Sequence, residues 1–139
     1  MNARQRHIFV ILAWIALAVY FALVAWVCFG HFTQLPDMSQ PIWGIPQDKL
    51  IHFVMFLPFP FLVMFTRRRR PATHRKALWL TVVSLVIGLA IAGATEWGQG
   101  LTLHRDRNPY DFLADAIALV FGSLIVLIIS FHQVRRASR

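Results

Sequence analysis

The chain has 139 residues, 58% hydrophobic against 14% charged, and a formal net charge of +8. Average soluble domains carry about 25% charged residues, so too little polar surface exists to coat a water-soluble fold of this size, and disorder, collagen-like repetition and a disulfide scaffold fall with it. The excess of 14 Lys and Arg over 6 Asp and Glu would suggest nucleic acid in a soluble protein; in a membrane protein it reports topology, and no nucleic-acid partner is expected.

Crossing about 30 Å of hydrocarbon takes roughly 20 helical residues, and four segments reach that length: 8–29, 49–66, 77–97 and 112–131. Arg4, Arg6 and His7 precede the first. It is too long for the apolar region of a secretory signal, and no small-x-small cleavage site follows it. The single cysteine, Cys28, allows no intrachain disulfide, and Trp26 and Val27 are too bulky to precede a lipidated cysteine, so the segment is expected to remain as an anchor. The connection over 30–47, with Pro36, Pro41 and Pro46, reads as an extended outer loop and a candidate cover for whatever lies beneath it. The second span contains Pro58 and Pro60 and is expected as a kinked helix, with a re-entrant segment as the alternative. Trp26, Trp43, Trp97 and Tyr110 fall near the outer boundary and Trp79 near the inner one, as interfacial anchors do.

The basic residues set the expected direction. Arg4 and Arg6, the run Arg67 to Arg70 with Arg75 and Lys76, and Arg135, Arg136 and Arg139 lie on one side, leaving Lys49, Arg105 and Arg107 on the other. Both termini are therefore expected in the cytoplasm, and the protein in the inner (cytoplasmic) membrane of a cell, with the lipid bilayer as its first partner. The arginine run reads as a topology determinant with some attraction for anionic headgroups. All six acids, Asp37, Asp48, Glu96, Asp106, Asp111 and Asp115, fall in the outer loops or outer span ends. The positive-inside rule does not require that asymmetry, which needs a separate cause.

Helical spacing gathers several of these groups. Asp48, Lys49 and His52 share a face at the mouth of the second span, with His52 about 6 Å deeper than Asp48 at ~1.5 Å per residue. Asp48 is also a candidate N-cap of that helix. Glu96 and Gln99 close the third span. Asp111 and Asp115 open the fourth, where the positive end of the helix dipole favours carboxylates. Their stripe continues through Ala114, Ala118 and Gly122, and Glu96 is flanked by Ala92, Gly93 and Gly100; such small residues let helices approach closely. The acids are thus expected inside the bundle. Charges at membrane depth are costly and mark functional positions, which singles out His52, Glu96 and Asp115, whereas Asp37 and Asp106 read as ordinary loop and cap residues.

The strings Asp48-Lys49-x-x-His52, Glu96-x-x-Gln99 and Arg107-x-x-x-Asp111-x-x-x-Asp115, followed by small residues and Gly122, resemble the VanZ-like family of small integral membrane proteins over about residues 46–125. The family commonly has Asn where Asp115 stands and Gly where Ala118 stands. The resemblance implies a single all-α domain over 1–139, a four-helix transmembrane bundle of the bacterial envelope, and a link to glycopeptide (teicoplanin) resistance. It implies no defined mechanism.

Three functional readings follow from the residues. In the first, an outward pocket of Asp48, Lys49, His52, Glu96, Gln99, Arg107, Asp111 and Asp115 binds the polar head of a lipid or lipid-linked envelope intermediate, with Arg105 and His104 nearby. In the second, a membrane-embedded enzyme uses His52 or Glu96 as general base. In the third, the chain is a small transporter or a non-catalytic assembly subunit. No nucleophile elbow, phosphate loop or dense His-Cys ligand motif appears. A site with His52, Glu96, Asp111 and Asp115 is compatible with a divalent metal, but spacing does not distinguish it from an ion-pair network. Neither a cofactor nor a metal is assigned from sequence, and no oligomeric state.

Overall fold

Four helical spans, long and apolar enough to cross a membrane, make up the computed structural model, which describes residues 2–30, 41, 44–67, 69–102 and 108–138. α1 (Ala3–Phe29) starts from a capping box in which the Asn2 side chain accepts from the Gln5 N–H and the Gln5 side chain from the Asn2 N–H. This cap begins the helix five residues ahead of the apolar run. α4 (His74–Gln99) begins at Thr73, whose hydroxyl accepts from the Lys76 N–H. α5 (Pro109–Ala137) begins at Asn108, which caps the Tyr110 N–H, with Pro109 in its first turn. It runs on through Arg135 and Arg136, cations that suit a helix C-terminus. Each helix outruns its expected span, because backbone hydrogen bonds continue past the point where apolar residues stop.

The second span is one 19-residue stretch in two pieces, α2 (Gln47–Phe56) and α3 (Phe59–Phe65). Leu57 and Pro58 keep right-handed helical dihedrals between them, so the chain bends without reversing and the expected kinked helix is observed. Pro58 and Pro60 have no N–H to donate, and each removes one rung of the ladder. The Leu57 N–H still donates to the Phe53 carbonyl, and the Phe61 and Leu62 N–H groups to the Pro58 carbonyl. Asp48 is not the N-cap of α2. That position belongs to Pro46, and no side chain caps it, which leaves Asp48 free to engage Lys49.

α5 packs against α2, α3 and α4, while α1 lies against α3 and α4. The buried faces are small or polar: Ala77, Thr81, Ser84, Gly88, Ala92, Glu96 and Gln99 on α4, and Asp115, Ala118, Gly122, Ser123 and Ser130 with a few aliphatics on α5. Bulky apolar side chains such as Leu12, Ile15, Val86 and Ile128 point outward. This is the reverse of a soluble bundle, and in lipid it costs nothing, because acyl chains are as apolar as leucine. The expected stripe of Ala118 and Gly122 is indeed a packing seam. A Cβ on Gly122 would stand 3.0 Å from the Leu57 carbonyl oxygen, so glycine lets α5 approach the break in the second span. A Cβ on Gly88 would meet Leu119 at 2.7 Å and the Phe59 ring at 2.9 Å.

The two ends differ in charge. At one, a cavity of about 600 Å³ lies among Arg6, Arg67, Arg69, Arg70, Ser130 and apolar neighbours. Arg67 is anchored there by donating to the Leu80 carbonyl at 3.2 Å, and burial pushes its guanidinium below its ordinary pKa. The other end carries the C-termini of α1 and α4 and the N-termini of α2 and α5. There Gln99 Nε2 donates to the Cys28 carbonyl at 3.2 Å, both groups buried.

Gly88→Ala is expected to destabilise the bundle by about 1–3 kcal/mol, since Leu119 and Phe59 are themselves buried and have no room to yield. Gly93→Ala, whose added carbon meets nothing nearer than Phe112 at 3.8 Å, is expected within about 0.5 kcal/mol of wild type. Unfolding of both variants in mixed detergent micelles measures the difference.

Candidate functional site

α2 and α5 meet at their N-terminal turns, and the one-turn spacings 48/52 and 111/115 put two side chains from each helix into the same interface. Asp115 is fully buried and lies beside His52: the imidazole Nδ1 stands 3.1 Å and 3.3 Å from its two carboxylate oxygens. One ring nitrogen straddling both oxygens fixes the plane of the imidazole. The other nitrogen, Nε2, then points at Asp111, 3.7 Å from Oδ2. That distance is too long for a hydrogen bond and short enough for shared contact with a third body.

Lys49 lies one turn shallower. Its ammonium bridges Asp48 on its own helix and Oδ1 of Asp111 on α5. Asp111 therefore divides its two oxygens, one toward the lysine and one toward the histidine. The Lys49 and Asp111 side chains are 17% and 14% exposed, against 47% for Asp48, so the cluster opens at Asp48 and closes at Asp115.

α4 contributes Glu96, which is 8% exposed. Its Oε1 is buried and has no hydrogen-bond partner among the described residues. Ligand atoms of Glu96, His52 and Asp111 all lie within 4.8 Å of one another. A buried, unpartnered carboxylate oxygen costs several kcal/mol unless something else meets it. Gln99, one turn beyond Glu96, points elsewhere: its amide holds the end of α1 through the Cys28 carbonyl. Its contact in the structure is architectural.

The structure thus gathers Asp48, Lys49, His52, Glu96, Asp111 and Asp115, expected from sequence to share one end of the bundle, and sets Gln99 at their edge. Arg107, Arg105, His104, Asp106, Asp37, Trp43 and most of the 30–47 connection lie outside the described residues. Sequence reading missed Tyr20. Its ring contacts Phe21 and Phe59 with centroids 5.5 Å and 6.3 Å away, and its hydroxyl is buried with no hydrogen-bond partner among the described residues. A lone phenol midway along an apolar span was the available signal. Among the described residues the cluster holds four carboxylates to one ammonium, an arrangement that can accept a cation, orient an imidazole, or hold a ligand bearing positive charge.

Comparison of the chain with protein-family models, curated proteins and solved structures gives no match.

Replacing His52 or Asp115 alone by Leu is expected to destabilise the protein by about 3–5 kcal/mol, because each leaves a buried partner uncompensated. The double replacement should cost less than the sum. A coupling of about 1–3 kcal/mol is expected from a double-mutant cycle in micelles, above the ~0.6 average for interhelical hydrogen bonds in membrane proteins.

Proposed function

We propose that the chain is a multi-pass protein of the bacterial inner membrane, both termini cytoplasmic, that binds the polar head of a lipid or lipid-linked envelope intermediate at the outer membrane face. The observation that carries this reading is the convergence of Lys49, His52, Glu96, Asp111 and Asp115 from three helices into one largely buried cluster of ionisable groups at one end of the bundle. Helix ends in a headgroup layer need caps, but they do not need an aspartate with no exposed surface. Intramembrane ionisable groups of this kind mark ligand or proton sites.

Lys49, held between Asp48 and Asp111, keeps a third N–H to offer the anionic part of a head, and the surplus of carboxylates suits the positive part of a zwitterionic one; Arg107 joins Lys49 in this reading. The VanZ-like resemblance adds a link to glycopeptide (teicoplanin) resistance, as the consequence of a protein that occupies or protects an envelope precursor.

A second reading, a membrane-embedded enzyme acting on such a head, is favoured by the His52–Asp115 pair. A carboxylate on Nδ1 fixes the imidazole tautomer and leaves Nε2 to take a proton. Glu96 would share that role.

Two measurements test these readings. A fluorescent reporter fused after Arg139 is expected to be active in the cytoplasm, and an active periplasmic reporter at that position would overturn the orientation. Native mass spectrometry of the purified protein is expected to find one class of headgroup lipid retained by wild type. Lys49→Met, Asp111→Asn and Arg107→Gln should each weaken it by about 1.5–3 kcal/mol, roughly ten- to a hundredfold. Equal retention by all three variants sinks the headgroup reading, and turnover of the retained lipid that ends with His52→Gln selects the enzyme.

A further inference from the structure

The geometry points to a divalent transition-metal site, of the zinc or manganese class, in which His52 Nε2, Glu96 and Asp111 bind the ion and Asp115 orients the histidine. It goes beyond the headgroup reading and does not depend on it.

Three observations converge. The first is the orientation of His52. A metal-binding histidine almost always hands its other ring nitrogen to a carboxylate or carbonyl, which fixes the tautomer and strengthens the ligand. Here Nδ1 lies against both oxygens of the fully buried Asp115, so the lone pair of a neutral ring projects from Nε2 on the side of Asp111, 3.7 Å away.

The second is the spacing. Ligands held at about 2.1 Å around a tetrahedral ion stand about 3.4 Å from one another. His52 Nε2 and Asp111 Oδ2 are 3.7 Å apart, too far to bond each other and close to that edge length. One carboxylate oxygen of Glu96 and one ligand atom each of His52 and Asp111 lie within 4.8 Å of one another, and the three side-chain torsions of Glu96 give it the reach to close the triangle.

The third is Glu96 itself. Its Oε1 is buried and unpartnered among the described residues, and the carboxylate stands near those of Asp111 and Asp115, with Lys49 the one ammonium beside them among the described residues. Lys49 is already engaged by Asp48 and by the far oxygen of Asp111. An ion between Glu96, Asp111 and His52 meets the orphan oxygen and offsets the excess of negative charge together.

One nitrogen and two carboxylate oxygens make a donor set of intermediate hardness. That set suits zinc or manganese, whereas calcium and magnesium prefer all-oxygen sites. Three protein ligands leave a coordination position open. An open position is the mark of a site that binds water or a ligand atom, and a closed four-ligand shell that of a structural ion.

The test uses the full chain purified in lipid-free detergent, stripped with a chelator and titrated separately with Zn²⁺ and Mn²⁺. Metal per chain is read after gel filtration and helicity by circular dichroism. Wild type is expected to retain one ion of at least one of the two metals. Glu96→Gln and Asp111→Asn should lose it with helicity intact, and Asp115→Asn should weaken it about ten- to a hundredfold. Absence of stoichiometric binding by wild type with either metal, or unchanged affinity in folded Glu96→Gln, overturns the site. If the variants do not fold, wild type loaded with Co²⁺ decides. A hyperfine-shifted imidazole N–H from the His52 nitrogen bonded to Asp115 is expected, and a loaded protein without it overturns the site. Because no lipid is present, failure here leaves headgroup retention to be judged on its own measurement.

Discussion

A carboxyl group with no exposed surface, set in a bundle whose outer face is largely apolar, is the constraint around which the rest of the molecule is arranged. Asp115 must have a hydrogen-bond partner that lipid does not supply, and His52 is that partner. For the two to meet, α2 and α5 must run together at one end. The second span breaks where its prolines fall, and α5 passes that break on a glycine, because a side chain at Gly122 would crowd the carbonyl of Leu57. One polar contact, one break and one missing methyl are parts of a single geometric solution.

The same logic explains the composition of the interior. Between helices in lipid, association comes from close backbone approach and from a few polar contacts, since there is no hydrophobic gain in moving a leucine from acyl chains to protein. Alanine, glycine, serine and threonine therefore occupy the buried faces of α4 and α5, and the leucines, isoleucines and valines that a soluble protein would hide lie outside. Close approach also brings the polar side chains of separate helices within one another's reach. Glu96 joins the α2–α5 pair because Gly88 and Ala92 let α4 lie tightly beside it. Packing and chemistry share one cause.

Within the cluster, depth sorts the roles. Asp48 is the most open of the acids and shares Lys49 with Asp111. Asp111 faces both the lysine and the histidine. Asp115 is sealed and meets His52. Glu96 arrives from α4 with an oxygen that has no hydrogen-bond partner among the described residues. A ligand entering from the headgroup level would meet charge first and the oriented imidazole last, an order suited to binding before any proton transfer.

Much of this was legible in the chain. Four apolar runs of bilayer length, the segregation of basic from acidic residues, and the one-turn spacings 48/52 and 111/115 depend only on local periodicity, and local periodicity is written residue by residue. The proline pair announced the bend. Helix boundaries were less legible, because Asn2, Thr73 and Asn108 cap through side-chain hydrogen bonds that hydropathy does not register. The role of Gln99 was also hidden. Its spacing from Glu96 groups it with the site and does not reveal that its amide reaches a carbonyl 71 positions away on α1. What only tertiary structure decided is which atoms face which: that Asp115 takes Nδ1 and leaves Nε2, that Asp111 splits its oxygens, and that Glu96 keeps one unmet among the described residues. Those outcomes depend on the rotation and rise of one helix against another, set by contacts between residues far apart in the chain, and no single segment carries that information.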